Sequence, residues 1–541
     1  MNREKCDETE DASTIEATKH YTIEQVFEQY VGEFGNYQKL LTLYVWIVIA
    51  PLTGILLVSS LLILLIPPHW CKYQAPNVTE ISINESSTDW HSYNIPRKSD
   101  GSGFESCFIH GREVNSSNES VNILKCKDGW KYDHSLVIVT AASENDWVCD
   151  NQWKALLPHS VFSIGMTLGG IVIGILSDTI GRIPTIALGY SIAGIAGLLT
   201  NFTSEHYTLF VAARAVLGAA TPAMMVPLVI RLFLTMYTCG GVLPWIAYAI
   251  GKWRTYNLIT SSCFFLVPLL SIFTLESPRW LLAVGKNTKA SDILARLARI
   301  NGRKIPNSIL MNIQAPNTSQ APLKHIFKYK IFLRTFLLSS TIALLYTMIF
   351  AGHNIFVANL SKHPFMMLSV FAGFDCVAAV LSRFVADFYG RRKSMCFACF
   401  LSAILYSITV FIPKDLDRLI IAVAFSARMG ITALMNINAV YSSEIFPTVA
   451  RSRLSSVRMC ISSFGTAFSP ILVSFQFFGS NTPLFLFGIL VAVCGFLMLP
   501  MPETLGKPLP ETFEDAEKLN IKSNESQKEN NESDDILLQK V

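Results

Sequence analysis

Charged side chains within long apolar runs are the residues of this 541-residue sequence best placed to do chemistry. A charge there costs about 2.5–3.5 kcal/mol unless it meets a partner or water. Asp375 follows two aromatic residues in Val370-Phe-Ala-Gly-Phe-Asp-Cys-Val, which suits the binding of a cation by charge and ring-face attraction. The alternative is an ion pair with an arginine of a neighbouring run, and both interpretations stay open. The buried cations expected in other runs are Arg214, Arg428 and Arg458.

A membrane is the scaffold that these charges require, because the composition excludes a soluble protein. Hydrophobic residues make up 51% of the chain and charged residues 16%, against about 25% charged in average soluble domains. A water-soluble fold of this size could not hide so much apolar surface. The charges collect in the first 40 residues, in 70–155, in 276–335 and after 502. The sequence therefore predicts a polytopic membrane protein.

Twelve apolar runs have the composition of transmembrane helices. A helix needs about 20 apolar residues to cross a bilayer, and the runs lack the two-residue alternation of barrel strands. The predicted spans are 41–66, 155–177, 184–200, 208–230, 232–250, 257–275, 333–352, 364–386, 395–412, 418–440, 455–477 and 483–501. The fold class is therefore an all-α polytopic membrane protein, with six spans on each side of a charged loop.

Lysine and arginine cluster in alternate loops, which places both termini in the cytoplasm. The predicted domains are a cytoplasmic N-terminal segment over 1–40, the first helix over 41–66, an extracellular loop over 67–154, the rest of the first half over 155–275, a cytoplasmic loop over 276–332, the second half over 333–501 and a largely disordered cytoplasmic tail over 502–541.

The predicted extracellular loop carries four cysteines, an even number where disulfides persist. They are Cys71, Cys107, Cys126 and Cys149, and three pairings are possible. The same loop has four acceptor sequences for glycosylation, at Asn77, Asn84, Asn115 and Asn118. Both features agree with the side chosen from lysine and arginine.

One short pattern occurs twice, at equivalent places in the two halves. It reads Asp178-Thr-Ile-Gly181-Arg182 after span 2 and Asp387-Phe-Tyr-Gly390-Arg391-Arg392 after span 8. Glycine permits a positive-φ turn between two helices. A second matching pair, Glu276-Ser-Pro-Arg279 and Pro502-Glu503-Thr504, follows spans 6 and 12. The repetition predicts a duplicated transporter fold in which the charged turns lock the cytoplasmic face.

These motifs resemble the major facilitator superfamily, and within it the organic cation, carnitine and organic anion transporter family. The resemblance covers residues 30–515. It is carried by Phe34-Gly35-Asn-Tyr37-Gln38, Cys126-x-x-Gly129-Trp130-x-Tyr132-Asp133, Val148-Cys149-Asp150, Glu276-Ser-Pro-Arg279-Trp-Leu-Leu-Ala, Tyr441-x-x-Glu444-x-x-Pro447-Thr448-x-x-Arg451 and Pro502-Glu503-Thr504-Leu-Gly506. It implies a plasma-membrane protein whose halves rock around a central substrate site.

The repeated motifs, the polar residues inside spans and the resemblance together assign roles to residues. For Tyr346 and Asn438, helix packing is the alternative to a place in the substrate cavity. The predicted gating residues are Asp178, Gly181, Arg182, Asp387, Gly390, Arg391, Arg392, Glu276, Arg279, Glu444 and Arg451. The predicted substrate residues are Asp375, Tyr346, Asn438, Ser463 and Arg458, while Arg214 and Arg428 are predicted to hold helices together. The position that tracks substrate charge in the family is the neutral Ser463. Arg458 lies five residues earlier and about 140° around the helix, so it does not replace Ser463.

The sequence departs from the family between spans 4 and 5, where the usual charged cytoplasmic loop is missing. The main prediction is a secondary transporter of small organic cations or of zwitterions such as carnitine. The alternatives are an organic anion or sugar-like solute transporter, or a non-transporting scaffold or splice form. We expect no enzyme activity, metal or cofactor. The expected partners are the organic ion and the lipid bilayer, without nucleic acid, and the oligomeric state stays open.

Overall fold

The computed structural model describes a bundle of long helices with a small folded unit at each end. The described residues are 21–32, 34–72, 95–97, 104–115, 118–133, 139–225, 231–311, 313, 323–360, 363–413, 416–475 and 481–519. A helix lies at each of the twelve predicted spans. Spans 1 to 12 are Asn36–Ile63, Trp153–Thr179, Arg182–Phe202, Tyr207–Met225, Arg231–Ile250, Trp253–Cys263 with Leu266–Ser271, Lys330–Leu360, Pro364–Tyr389, Arg391–Ile408, Asp417–Ile445, Arg451–Ser474 and Thr482–Met498.

Eight helices in the described part of the chain, spans 1–4, 7, 8, 10 and 11, are individually long and apolar enough to cross a membrane. Three of the other four differ for local reasons: span 6 is divided after Cys263, span 9 begins with Arg391-Arg392-Lys393, and span 12 has 17 residues. The predicted class, an all-α membrane bundle, is confirmed. Residues 226–230 between spans 4 and 5 lie outside the described part, so the missing loop there stays a prediction.

Small residues allow close helix packing within each half. A Cβ atom at Gly165 or Gly169 of span 2 would overlap backbone carbonyls of span 4, and one at Gly465 of span 11 would overlap a carbonyl of span 7. The two halves meet where span 5 packs on span 8 and span 2 packs on span 11. Ser369 of span 8 donates a hydrogen bond to the Gly241 carbonyl of span 5 at 2.7 Å.

The segment between spans 1 and 2 forms a disulfide-bonded unit at what we call the loop end of the bundle. Its antiparallel strand pairs are β1 (His69–Cys71) with β4 (Trp130–Tyr132), and β2 (Phe108–Asn115) with β3 (Asn118–Lys125). The disulfides are Cys71–Cys126 and Cys107–Cys149, one of the three pairings that the sequence left open.

Two of the four glycosylation candidates fall in this unit. Asn115 and Asn118 are paired residues at the end of the β2–β3 hairpin, whereas Asn77 and Asn84 lie outside the described residues.

The Tyr132 hydroxyl donates a 2.8 Å hydrogen bond to Asp146 within the same unit. Burial and this hydrogen bond raise the pKa of the Tyr132 phenol, so the hydroxyl stays a donor at neutral pH.

Glu144 ties the disulfide-bonded unit to the bundle. Its carboxylate accepts from the Trp253 indole at 2.6 Å and pairs with Arg254 at 3.0 Å, both at the start of span 6. Arg254 also donates to the Asn201 carbonyl of span 3 at 2.6 Å.

At the opposite end, which we call the motif end, the N-terminal segment packs against the charged loop between the halves. One hydrophobic cluster joins the helical turns Ile23–Val26 and Phe27–Val31 to the helices Pro278–Ala283, Asn287–Ile300 and Asn307–Met311. The side chain of Asn301 connects this unit to span 1. It accepts from the Tyr37 N–H at 2.9 Å and donates to the Val31 carbonyl and the Gln38 side chain at 3.0 Å each.

Candidate substrate site and gate

A buried ion pair joins spans 8 and 10. Arg428 Nη2 lies 2.9 Å from Asp375 Oδ2, and Arg428 Nε donates to Asp375 Oδ1 at 3.3 Å. Thr432, about one turn along span 10, donates to the same Oδ1 at 2.5 Å. Asp375 and Arg428 are each only 3% exposed. The Asp375 carboxylate is therefore satisfied by the protein's own donors.

Aromatic rings pack on the cationic side of this pair. The guanidinium carbon of Arg428 lies 4.2 Å from the ring centre of Phe350 and 5.1 Å from that of Phe371. His353 of span 7 is fully buried beside Phe371 and shares a 2.9 Å hydrogen bond with the Tyr406 hydroxyl. Phe371, one of the two aromatic residues expected near a bound cation, thus contacts the protein's own arginine.

For Asp375, the structure has the ion pair that the sequence offered as the alternative. The substrate role of Asp375 stays a prediction, and a cationic solute would have to displace Arg428 to reach the carboxylate. Through this ion pair Arg428 links span 10 to span 8, a contact compatible with its predicted role of holding helices together.

The other two buried arginines have no carboxylate partner among the described residues. Arg214 is 2% exposed, and its Nη1 donates weakly to Ser60 of span 1 at 3.4 Å while Nε and Nη2 have no partner. Arg458 is 8% exposed, with Nε and Nη1 unpaired. Asp375 is the single acid in the span interiors, away from the helix ends. Two buried positive charges are therefore uncompensated.

The remaining predicted substrate residues are all buried: Tyr346 is 5% exposed, Asn438 0% and Ser463 8%. The amide of Asn438 has no partner on either atom, and the Ser463 hydroxyl donates to its own helix at 3.0 Å. Arg458 lies seven residues before Gly465 and so occupies nearly the same face of span 11. Gly465 contacts span 7, which carries Tyr346, and Arg458 lies closer to the motif end of span 11 than Gly465 does.

Glutamates cap the helices that follow both repeated motifs. Glu503 accepts from the backbone N–H groups of Arg391 and Arg392 at 2.8 and 3.1 Å, where span 9 begins. Glu276 accepts from Arg182 and the next residue at 3.2 and 3.1 Å, where span 3 begins. Each carboxylate satisfies two otherwise free donors at the positive end of a helix dipole. The two pairs of sequence motifs thus form one contact that is repeated in both halves.

Glycine is required at both turns. Gly181 has φ = 110° and Gly390 has φ = 96°, values that side chains with a Cβ rarely adopt. A Cβ there would also lie 2.6 Å from a Glu276 oxygen and 2.7 Å from a Glu503 oxygen, respectively. The glycines therefore provide both the turn and the room for the capping carboxylates.

The side chains around the two turns are paired differently. Arg391 pairs with Asp387 at 2.6 Å and with Glu444 at 3.4 Å. Asp178 and Arg182 are exposed, and within the described ranges neither side chain forms an ion pair. The ion pairs expected around the repeated motif are thus formed in the second half and not among the described residues of the first, and their role as a lock stays a prediction.

The sequence explains this difference. Glu444 lies sixteen residues after Arg428 in span 10, and sixteen residues after the equivalent Arg214 the chain has Ile230. The first half therefore lacks an acid at the place of Glu444, as expected if part of the region between spans 4 and 5 is missing.

Two further predicted gating residues have other partners. Arg279 lies 3.5 Å from Glu24 of the N-terminal segment, with both side chains mostly exposed. Arg451 donates from Nε to the Phe446 carbonyl at 3.2 Å, closing the turn between spans 10 and 11.

Three residues that hold the motif end together were missed by sequence reasoning. The Trp280 indole donates to the Asp178 carbonyl at 3.0 Å, and the Tyr441 hydroxyl donates to the Pro502 carbonyl at 2.5 Å. Both lie within motifs that carried the family resemblance, which was the available signal. Asn301 had no such signal, because its partners are more than 260 residues away in the sequence.

Two six-helix halves with capped, repeated turns at one end define a membrane transporter of the major facilitator fold. The same fold is found in the xylose transporter XylE from E. coli, solved in a partially occluded inward open conformation. The TM-score is 0.53 and the sequence identity 15%, over 66% of this chain and 90% of that chain.

The chain belongs to the family described as "Sugar (and other) transporter", whose model matches residues 133–516. It is 27% identical to Organic cation/carnitine transporter 2 of Mus musculus, over 90% of this chain and 92% of that protein. It is 28% identical to Organic anion transporter 3 of Homo sapiens, over 78% and 82% of the two chains. The resemblance to organic cation, carnitine and organic anion transporters is confirmed.

Proposed function

We propose that this protein is a secondary transporter of small organic solutes that bear a carboxylate, either anions or zwitterions. Its two halves alternate access to a central site, and Arg458 attracts the carboxylate. The observation that carries this proposal is the balance of buried charge. Asp375 is neutralised by Arg428 at 2.9 Å, whereas two atoms of the Arg458 guanidinium are buried without a partner.

Arg458 also has a position suited to this role. Span 11 packs on span 2 of the other half and on span 7 of its own, so it borders the interface along which the halves move. Tyr346 and the unpaired amide of Asn438 are the neutral polar groups predicted for the same site. A guanidinium binds a carboxylate through two parallel hydrogen bonds, which also orients the solute.

The names of two relatives are compatible with solutes that bear a carboxylate. One is named for organic cations and carnitine and another for organic anions. Carnitine is a zwitterion with a carboxylate, so a carboxylate-binding arginine suits solutes of both relatives. A simple organic cation would meet uncompensated positive charge and no free acid in the described span interiors.

The membrane potential affects the uptake of anions and of zwitterions differently. Anion entry into a negative cell interior is opposed by about 2.3 kcal/mol per charge per 100 mV. Accumulation of an anion in the cell by this protein therefore requires exchange or a coupled ion, whereas zwitterion uptake does not work against the potential.

Uptake of labelled carnitine, an aromatic carboxylate and tetraethylammonium in expressing cells tests the proposal, with surface expression measured in parallel. We expect saturable uptake of at least one carboxylate and none of tetraethylammonium. Saturable uptake of tetraethylammonium alone would overturn the proposed substrate sign. Absence of all uptake, with normal surface expression, would favour the non-transporting scaffold.

A further inference from the structure

A small cavity in the first half lies against the uncompensated Arg214. Its volume is about 10 Å³, enough for one water-sized occupant and far too small for an organic solute. It lies between spans 1, 4 and 6. The lining residues are Leu56, Ser59, Arg214, Leu217, Asn257, Thr260, Ser261 and Phe264, none of which is acidic.

Arg214, which lines this cavity, has two unpaired donor atoms. Its Nε and Nη2 are buried without a partner, and its guanidinium carbon lies 5.4 Å from the Phe210 ring centre. The ionisable neighbour that interacts with it electrostatically, His159 of span 2, supplies no negative charge. An unpaired guanidinium in a dry bundle is strongly destabilising, whereas an anion beside it would restore neutrality.

A second cavity lies about one helical turn nearer the loop end. It has a volume of about 30 Å³. Its lining includes Leu62 and Ile63 of span 1, and Lys252, Trp253 and Tyr256 at the start of span 6. Spans 1 and 6 each contribute to both cavities about one helical turn apart. Tyr256 lines the loop-end cavity, and its hydroxyl lies 3.4 Å from Ser59 of the Arg214 cavity. Lys252 thus lines the cavity at the loop end, Arg214 lines the inner cavity, and the contact between Tyr256 and Ser59 separates the two.

We propose that the Arg214 cavity binds a chloride ion that enters from the loop end past Tyr256. A monatomic halide fits where carboxylates and phosphate do not, and it is a monovalent match for one guanidinium. Water would fill the space but would leave the buried charge uncompensated. This site is separate from Arg458 and does not depend on which organic solute is carried.

Equilibrium binding of radioactive chloride to the purified full-length protein in lipid nanodiscs tests this inference. We expect saturable binding of about one ion per chain, competition by bromide and no competition by gluconate, which is too large for the cavity. Arg214→Met should abolish the binding. Leu217→Phe, which fills the cavity and keeps every charge, should weaken it at least tenfold, and Arg383→Gln, at an exposed arginine of span 8, should leave it unchanged.

The wild-type measurement decides the matter if either variant of the cavity fails to fold. A folded wild-type protein without saturable chloride binding would show that the cavity holds only water. Binding that gluconate displaces, or that survives both Arg214→Met and Leu217→Phe in folded protein, would also overturn the assignment.

Discussion

Arg428 donates two hydrogen bonds to the carboxylate of Asp375, at 2.9 and 3.3 Å, in a site where both residues are 3% exposed. This contact ties span 8 to span 10 and neutralises the single acid of the span interiors. The buried charge that remains without a partner is therefore positive. Asp375 alone had suggested a negatively charged site.

Asp375→Asn should destabilise the protein strongly, because it leaves Arg428 buried and unpaired. We expect a loss of about 3–5 kcal/mol in stability. A large fall in melting temperature and in surface expression would report it. The double variant Asp375→Asn, Arg428→Met removes the stranded charge and should recover most of the loss. A stable Asp375→Asn protein with only weakened substrate affinity would instead make Asp375 a substrate contact.

Replacing either capping glutamate should weaken the gate in its own half. Glu503→Gln and Glu276→Gln keep the shape of the side chain but remove its charge from a helix N-terminus. We expect each variant to lose about 1 kcal/mol of stability. The melting temperatures of the two purified variants should therefore fall by similar amounts. If only one of the two variants has an effect, the two contacts are not equivalent.

The asymmetry of the charged lock gives a matched pair of variants. Arg391→Gln loses Asp387 and Glu444 and should cost about 2 kcal/mol, because its side chain is only 13% exposed. Arg182→Gln changes an exposed side chain with no ion pair in the described chain and should cost less than about 0.5 kcal/mol. Melting temperatures compared in one lipid preparation measure both. Equal losses would mean that Arg182 has a charged partner in the region between spans 4 and 5.

Apolar length and composition were sufficient to place a helix at every predicted span, and the repeated motif predicted the two-half fold. Side-chain partners were not predictable in the same way. Nothing near Asp375 in the sequence distinguishes Arg428 as its partner, since the contact depends on how spans 8 and 10 pack. The repeated acids Glu276 and Glu503 were recognised as a pair, but their role as helix caps depends on the positive-φ turns before spans 3 and 9. The disulfide pairing likewise needed the strand arrangement.

Asn301 should be a main link between the N-terminal segment and the charged loop. Asn301→Ala removes the acceptor for Tyr37 and the donor for Val31, which should cost about 1–3 kcal/mol of local stability. Hydrogen exchange of residues 21–40 should become markedly faster. Glu24→Gln, which breaks only the exposed pair with Arg279, is the control and should leave exchange nearly unchanged. Equal hydrogen-exchange rates of residues 21–40 in the two variants would rule out this role for Asn301.

The most direct test of the account is the Michaelis constant for carboxylate uptake in Arg458 variants. Arg458→Gln should raise the constant about tenfold or more, because a charge-assisted hydrogen bond contributes about 1.5–3 kcal/mol, and Arg458→Lys should retain part of the affinity. Arg383→Gln, an exposed arginine of span 8, is the matched control and should behave as wild type. An unchanged constant in Arg458→Gln at normal surface expression would contradict the assignment of the substrate carboxylate to Arg458.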